Sequence, residues 1–296
     1  MQTEVREFIL LGLTDLQGLQ HFFFIAFLLL YLTSLLGNSA IVTTVIFESW
    51  LHAPMYFFLG NLSCLDIFYS TVTVPKTLAG FLFGHQPISF GGCLAQLHFF
   101  HFLGSTEAVP LRYALVMSSP TCLLLAVATW ATGFFHATMH SVMTSQLSFC
   151  GHSHIQHFFC DIKPLLNLAC SSTSLNLVFL NVDTTSIALA PSTLIALSYL
   201  YVIVFLFLKF ESKGGRWKAF STCASHFSVV ALLYIPVFFN YTPPFSGSSS
   251  KRETQVSLMH SVATPALNPL IYTLRNQEVK SVLKKILSIW KLIAQI

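Results

Sequence analysis

Charge is what this sequence has least of. Only 9% of its 296 residues are charged, against 54% hydrophobic, whereas a soluble domain carries roughly 25% charged residues. So few charges cannot cover a water-facing surface, which makes lipid the expected solvent. The net charge of +4 is small, and the basic residues do not cluster with exposed aromatics; a nucleic-acid surface is set aside. Catalytic signatures are missing too: there is no Gly-x-Ser-x-Gly elbow, no His-Glu-x-x-His and no glycine-rich phosphate loop. The expectation is not an enzyme. No internal repeat supports a transporter of the inverted-repeat kind. The polar start (Thr3, Glu4, Arg6, Glu7) has neither a basic n-region nor a small-residue cleavage site, so the first apolar run reads as a helix that stays.

Long apolar runs, rich in the 29 Phe, fill the rest. A helix needs about 20 apolar residues to span the hydrocarbon. Phe22 to Phe47, Thr121 to Val142, Thr184 to Leu208, Ala219 to Tyr241 and Thr254 to Leu274 are uncharged. Met55 to Val74 carries one acid, Asp66, and Gly91 to Val109 carries another, Glu107. The expected fold is an all-α membrane protein, a seven-helix bundle with spans at about 22–47, 55–78, 91–117, 121–142, 182–208, 219–241 and 254–274. Residues 1–21 form an outer N-terminus, 22–275 the membrane domain, and 276–296 a cytoplasmic tail. In that tail Val279, Val282, Leu283, Ile286 and Trp290 share a helical face beside Lys280, Lys284 and Lys285, an amphipathic pattern drawn to anionic lipid. Lys and Arg bias sets the orientation: an N-terminus outside puts ten of the fifteen basic residues in the cytoplasm.

Three of the seven cysteines, Cys64, Cys122 and Cys223, lie inside spans, where thiols behave as small hydrophobes. Cys93, Cys150, Cys160 and Cys170 lie on the outer, oxidising side. Four cysteines allow three pairings, and spacing does not choose between them. Three of the four sit in the long stretch from Met143 to Asn181, which reads as a lid over the bundle. His157 and Cys160, followed by Asp161, have the look of metal ligands, but a cysteine engaged in a disulfide is a poor ligand and no metal site is expected. His98, His136 and His140 read as packing or interfacial residues.

Several motifs stack in one order. Leu51-His52-Ala53-Pro54-Met55-Tyr56-Phe57-Phe58-Leu59 opens span two, and Lys218-Ala219-Phe220-Ser221-Thr222-Cys223-Ala224-Ser225-His226 opens span six. Asn268-Pro269-Leu270-Ile271-Tyr272 closes span seven, followed by Thr273-Leu274-Arg275-Asn276. The lid holds His157-Phe158-Phe159-Cys160-Asp161 and Leu168-Ala169-Cys170; Gly37-Asn38 and Ser63 to Asp66 complete the set. Together they resemble the olfactory receptors, rhodopsin-like receptors coupled to G proteins, over nearly the whole chain.

The resemblance implies a small apolar odorant as ligand, bound in the outer half of the bundle, and a stimulatory heterotrimeric G protein with cyclic AMP as output. It places Phe100, His101, Gly104 and Ser105 of span three in the pocket, with Tyr234, Phe238 and Tyr241 of span six and Lys163 of the lid. Aromatics at such spacing more often mean plain helix packing. Asp66 and Glu107 are the acids well inside the bundle; buried carboxylates default to a functional reading, and the resemblance implies a sodium or proton site there. A structural hydrogen-bonded pair is the plainer alternative. No other cofactor is expected. The resemblance further implies pairing of Cys93 with Cys160 and Cys150 with Cys170, and residence in the plasma membrane.

Two departures stand out. Where the family runs on into a "MAYDRYVAIC" stretch, Gly104-Ser105-Thr106-Glu107-Ala108-Val109 joins directly to Pro110-Leu111-Arg112-Tyr113. The inner half of span three and its Asp-Arg-Tyr triplet are missing. Cys93 to Val109 is 17 residues, roughly 25 Å of helix at 1.5 Å per residue, against a hydrocarbon thickness of about 30 Å. Leu111 to Met117 can finish the crossing only with Pro110 inside the helix, where it removes a hydrogen bond. Impaired coupling to the G protein is the expectation. The rival is a non-signalling or misfolded product of a decayed receptor gene, retained in the endoplasmic reticulum. The second departure is the lack of Asn in Met1-Gln2-Thr3, where relatives carry a glycosylation site.

Overall fold

The computed structural model of the chain describes residues 6–13, 17–47, 54–108, 119–151, 153–183, 185–186, 254–255 and 257–275, with isolated positions 193, 197, 200, 201 and 204. Span six, the junction at 109–118 and the tail 276–296 lie outside the described residues.

The apolar runs become helices: α1 (Gln17–Phe47), α2 (Pro54–Phe83), α3 (Phe90–Ala108) and α4 (Ser119–Ser145). A short α5 (Ile162–Leu168) lies in the lid. A helical stretch at 174–183 follows, and a five-residue π-turn (Met259–Ala263) leads into α6 (Thr264–Arg275). Among the described residues, α1, α2 and α4 are long and apolar enough to cross a membrane. Helix α1, at 31 residues, is about 46 Å long, and it starts five residues before the expected span at 22. Helix α2 likewise runs on past 78 to Phe83, with Pro75 in its interior.

These helices carry apolar side chains on all sides, as lipid requires. Phe22, Leu36, Phe47, Leu124 and Phe135 are each at least 65% exposed, tolerable only against hydrocarbon. Many of their hydroxyls are satisfied within the helix, since lipid offers no partner. Thr71 Oγ1 donates to Ile67 O at 2.7 Å, Thr129 to Leu125 O at 2.7 Å and Thr132 to Ala128 O at 2.8 Å.

Helix α1 packs on α2 and α6, and α3 on α4. Small residues set the α1–α6 and α3–α4 contacts, as is usual where apolar tails compete equally for helix faces. A Cβ at Gly37 would lie 2.7 Å from Pro269 Cβ. One at Gly133 would collide with Thr106 Oγ1 and lie 2.9 Å from the Phe102 carbonyl oxygen. The absent side chain at Gly133 is therefore what lets α4 lie hard against α3.

The lid has a fold of its own that the all-α expectation did not include. Strand β1 (Glu7–Leu10) pairs antiparallel with β2 (Gln86–Ser89) and parallel with β3 (His154–Ile155), in the order β2-β1-β3. The register runs from Glu7 opposite Ser89 to Leu10 opposite Gln86. Gly84, with φ +79°, makes the left-handed turn that brings β2 back from α2. Beneath this sheet Phe8, Leu10, Leu97, Phe149, Ile155, Leu165 and Leu180 form a buried core. Disulfides join Cys93 at the head of α3 to Cys160, and Cys150 to Cys170.

Candidate functional site

Three polar constellations stand out in the apolar bundle. The deepest centres on Asp66, 1% exposed on α2. An ionised or neutral carboxyl this far from water needs hydrogen-bond donors. Asn268 of α6 supplies them, its Nδ2 lying 3.2 Å from Oδ1 and 3.1 Å from Oδ2. Around this pair, Ser70 Oγ donates to Asp66 O at 2.9 Å and meets Ser34 Oγ of α1 at 3.2 Å. Asn38 Nδ2 donates to Ser34 O and Pro265 O, both at 3.0 Å. Helices α1, α2 and α6 are thus sewn together through polar groups at one level. Glu107 of α3 lies within electrostatic reach of Asp66. Buried oxygens without a hydrogen-bond partner among the described residues of α1, α2 and α3 include Asn38 Oδ1, Thr44 Oγ1, Ser63 Oγ and Glu107 Oε1.

The second constellation joins α3 to the lid. Phe100 is buried between Tyr69 of α2, at 4.9 Å between ring centroids, and Phe159 of the lid, at 4.5 Å. Phe159 is fully buried, so the lid plugs the bundle with an aromatic side chain. His101 Nε2 meets Asp161 Oδ1 at 3.1 Å, both groups buried, which requires the tautomer with Nε2 protonated. The same Asp161 Oδ1 caps α5 by accepting from Ile162 N at 2.7 Å. Burial pushes Asp161 up, but the His101 hydrogen bond, the neighbouring His101 and His157 rings and the Ile162 N–H outweigh it, holding it below the usual carboxylate range. Burial pushes the His157 ring down from the usual histidine range, against the opposing pull of Asp161 and the Phe159 carbonyl. Gly104 approaches the Tyr69 ring, to which an added Cβ would stand at 3.4 Å. Lys163 is half-buried on α5.

The third lies between α3, α4 and the stretch at 174–183. Ser105 Oγ is 2.7 Å from His136 Nδ1. His136 Nε2 lies 2.7 Å from Asp183 Oδ2, and His140 Nε2 reaches the same oxygen at 3.3 Å. The His136 approach runs off the axis of the ring N–H, so it is a close contact without a directed hydrogen bond. The expectation that His136 and His140 are packing or interfacial residues did not include this contact with Asp183. Asp183 stands alone at the edge of span five, and only the packing of the stretch at 174–183 on α4 brings it to the two rings. The spacing His136-x-x-x-His140 in an apolar helix, with an acid at the edge of the next span, was the available signal.

Of the pocket expected from sequence, then, the structure brings Phe100, His101 and Gly104 against α2 and the lid, and Ser105 against α4. Tyr234, Phe238 and Tyr241 lie outside the described residues. Asn268 and Pro269 face α1 and α2, while Tyr272 is in α6 with its side chain outside the described set.

The family model for olfactory receptors matches residues 27–289. The chain belongs to the olfactory receptor family. Its relatives agree: human (Homo sapiens) olfactory receptor 12D1 is 53% identical over 303 positions, covering 97% of this chain and 95% of the relative. Human olfactory receptor 12D3 is 53% identical over 299 positions, with 96% and 95% covered. Mouse (Mus musculus) olfactory receptor 4E2 is 43% identical over 298, with 96% of each covered. This olfactory receptor therefore has the seven-helix, multi-pass membrane fold of its family, and it is not an enzyme. The family as a whole senses odorants and couples to G proteins.

Proposed function

We propose that this olfactory receptor binds small apolar odorants in the lid-side half of its bundle but passes the signal to a G protein poorly. A mostly apolar cavity with few polar anchors suits a volatile ligand. Span three carries the anchors: His101 and Ser105 are its polar groups beside Phe100 and Gly104, with Lys163 of the lid and Tyr234, Phe238 and Tyr241 of span six completing the lining. What supports impaired coupling is the junction of Val109 to Pro110, which leaves out the family's Asp-Arg-Tyr triplet. The alignment to olfactory receptor 12D1 is in keeping with it: at 303 positions it is longer than the 296-residue chain, so positions of the relative have no counterpart here. Arg112 follows Pro110 without a preceding Asp and cannot take the place of the missing Arg.

Asp66 and Glu107 hold a sodium ion or a proton in this reading. The unsatisfied oxygens of Asn38, Ser63 and Glu107 support it, since hard cations prefer oxygen donors. The N-terminus and lid face the outside, where the two disulfides are stable, and the tail faces the cytoplasm.

The same missing triplet favours a second reading, a non-signalling product retained in the endoplasmic reticulum. A cyclic AMP assay with an odorant panel, run beside a version with the missing segment restored and with surface expression measured for both, separates the two. Restored signalling at equal surface expression is expected. Retention of the native chain inside the cell supports the second reading. Cyclic AMP output from the native chain equal to that of an intact relative refutes impaired coupling.

A further inference from the structure

We propose that His136, His140 and Asp183 form a binding site for a divalent transition-metal ion of the zinc(II) class. Each offers one donor atom, and these atoms lie within 4.8 Å of one another. The two histidines are four residues apart on α4, so they share a face, and the lack of a side chain at Gly133, one turn earlier on that face, seats them against α3. The side chains of His140 and His136 are 2% and 9% exposed, so both rings are held by packing before any ion arrives. That is the preorganisation a metal site needs.

The distances decide between a plain histidine–carboxylate contact and a metal cradle. Bonds of 2.0–2.1 Å in a tetrahedral site put neighbouring donor atoms about 3.3 Å apart. His140 Nε2 and Asp183 Oδ2 already stand at 3.3 Å, while His136 Nε2 and the same oxygen stand at 2.7 Å. Reaching the tetrahedral spacing needs the His136–Asp183 pair to open by about 0.6 Å, which the part-exposed Asp183 can supply by rotation, and the two ring nitrogens, within 4.8 Å of each other, to close by up to about 1.5 Å.

A second observation points the same way. A metal-bound histidine nearly always engages its other ring nitrogen with a partner that fixes its orientation. Here Ser105 Oγ holds His136 Nδ1 at 2.7 Å, which leaves Nε2 as the nitrogen turned toward Asp183. Two imidazoles and one carboxylate select zinc(II), copper(II) or nickel(II) over magnesium or calcium, which prefer all-oxygen sets. Three protein donors leave one tetrahedral position for water or another small donor. Such an ion would clamp α4 to the helical stretch at 174–183, next to Ser105. The inference holds whether or not the chain signals.

The test uses the full chain, purified in nanodiscs with its disulfides intact. Cobalt(II) is titrated in as a spectroscopic stand-in for zinc(II), and zinc(II) is then added to displace it. The expected result is one equivalent of four-coordinate cobalt, seen by its visible d–d bands and abolished by zinc(II), with a rise in melting temperature that magnesium does not reproduce. Both His140→Gln and Asp183→Asn keep hydrogen bonding but weaken the ligand set. They should remove the bands and weaken zinc(II) by well over tenfold, while Ser105→Ala should weaken it by about 10- to 100-fold. His98→Gln, outside the cluster, should change neither. Should His140→Gln fail to fold, Asp183→Asn carries the test, because it alters a part-exposed group by a single atom. Cobalt bands and zinc(II) affinity unchanged in Asp183→Asn, or no cobalt bound by the folded native chain, would overturn the proposal.

Discussion

Replacing Gly133 with alanine sets two opposed effects against each other, and the structure says which wins. In a helix interior alanine is favoured over glycine by about 1 kcal/mol. Against that, the new methyl group would strike Thr106 Oγ1 and stand 2.9 Å from the Phe102 carbonyl oxygen and 3.2 Å from Thr106 N. Two of these three atoms are backbone. The hydroxyl is also committed, since Thr106 Oγ1 donates to Phe102 O at 2.7 Å. Relief therefore requires moving α4 away from α3, and overpacking of this kind costs about 1–3 kcal/mol or somewhat more. The expected net loss is up to about 2 kcal/mol, a fall in melting temperature of a few degrees at roughly 2–4 °C per kcal/mol. Gly80 of α2 is the internal control: nothing lies within 4 Å of a Cβ there, so Gly80→Ala should be neutral or slightly stabilising. Thermal unfolding of both variants, followed with a thiol-reactive dye that reports the buried free Cys122, checks the pair. A Gly133→Ala receptor as stable as the native chain would refute the reasoning.

Three further outcomes are expected. Opening the Cys93–Cys160 disulfide frees a 67-residue separation and opening Cys150–Cys170 a 20-residue one, so Cys93→Ser should cost about 4 kcal/mol and Cys150→Ser about 3 kcal/mol in the chain-entropy model. Equal melting temperatures for the two variants would count against that ordering. Asn268→Ala should destabilise by about 1–3 kcal/mol by taking both amide contacts from Asp66, and a stability unchanged in thermal unfolding would show that another group serves the carboxyl. Acidification should loosen the lid. The buried His157 ring resists a proton that the unfolded chain accepts below about pH 6.5, so its contribution is full above that value and declines as the pH falls through it. The depressed Asp161 carboxyl acts in the same direction only further down, losing its contribution below about pH 4. Melting temperature measured from about pH 7.5 to about pH 5 should fall, and His157→Phe should flatten the fall; a native profile without slope would contradict it.

What could be read from sequence was whatever is written locally. The uncharged run from Phe22 to Phe47 could be nothing but a membrane helix, and α1 contains it. Intramembrane acids announce themselves by cost, so Asp66 and Glu107 were legible as candidates. Their company was not, because the amide that serves Asp66 comes from Asn268, 202 residues away, and only the packing of α6 brings it there. The sheet was missed for a similar reason. Glu7–Leu10 alternates too briefly to signal a strand, and its pairing with 86–89 and 154–155 is a property of the lid. Asp183 is different again: it lies at the edge of span five, and nothing local in the sequence ties it to His136 and His140, more than 40 positions earlier.

The N-terminal strand, lying between β2 and β3, is made first and completed last. Leu10 leaves the ribosome well before its partner Ile155, some 145 residues later by the numbering. At about 5–20 residues per second that interval is on the order of ten seconds or more. Throughout it the segment Glu7–Leu10 has one free hydrogen-bonding edge even after β2 has formed, and such an edge invites a stranger's strand. The lid of this receptor is therefore a late-closing buckle whose tongue waits until the far side of the clasp has been synthesised.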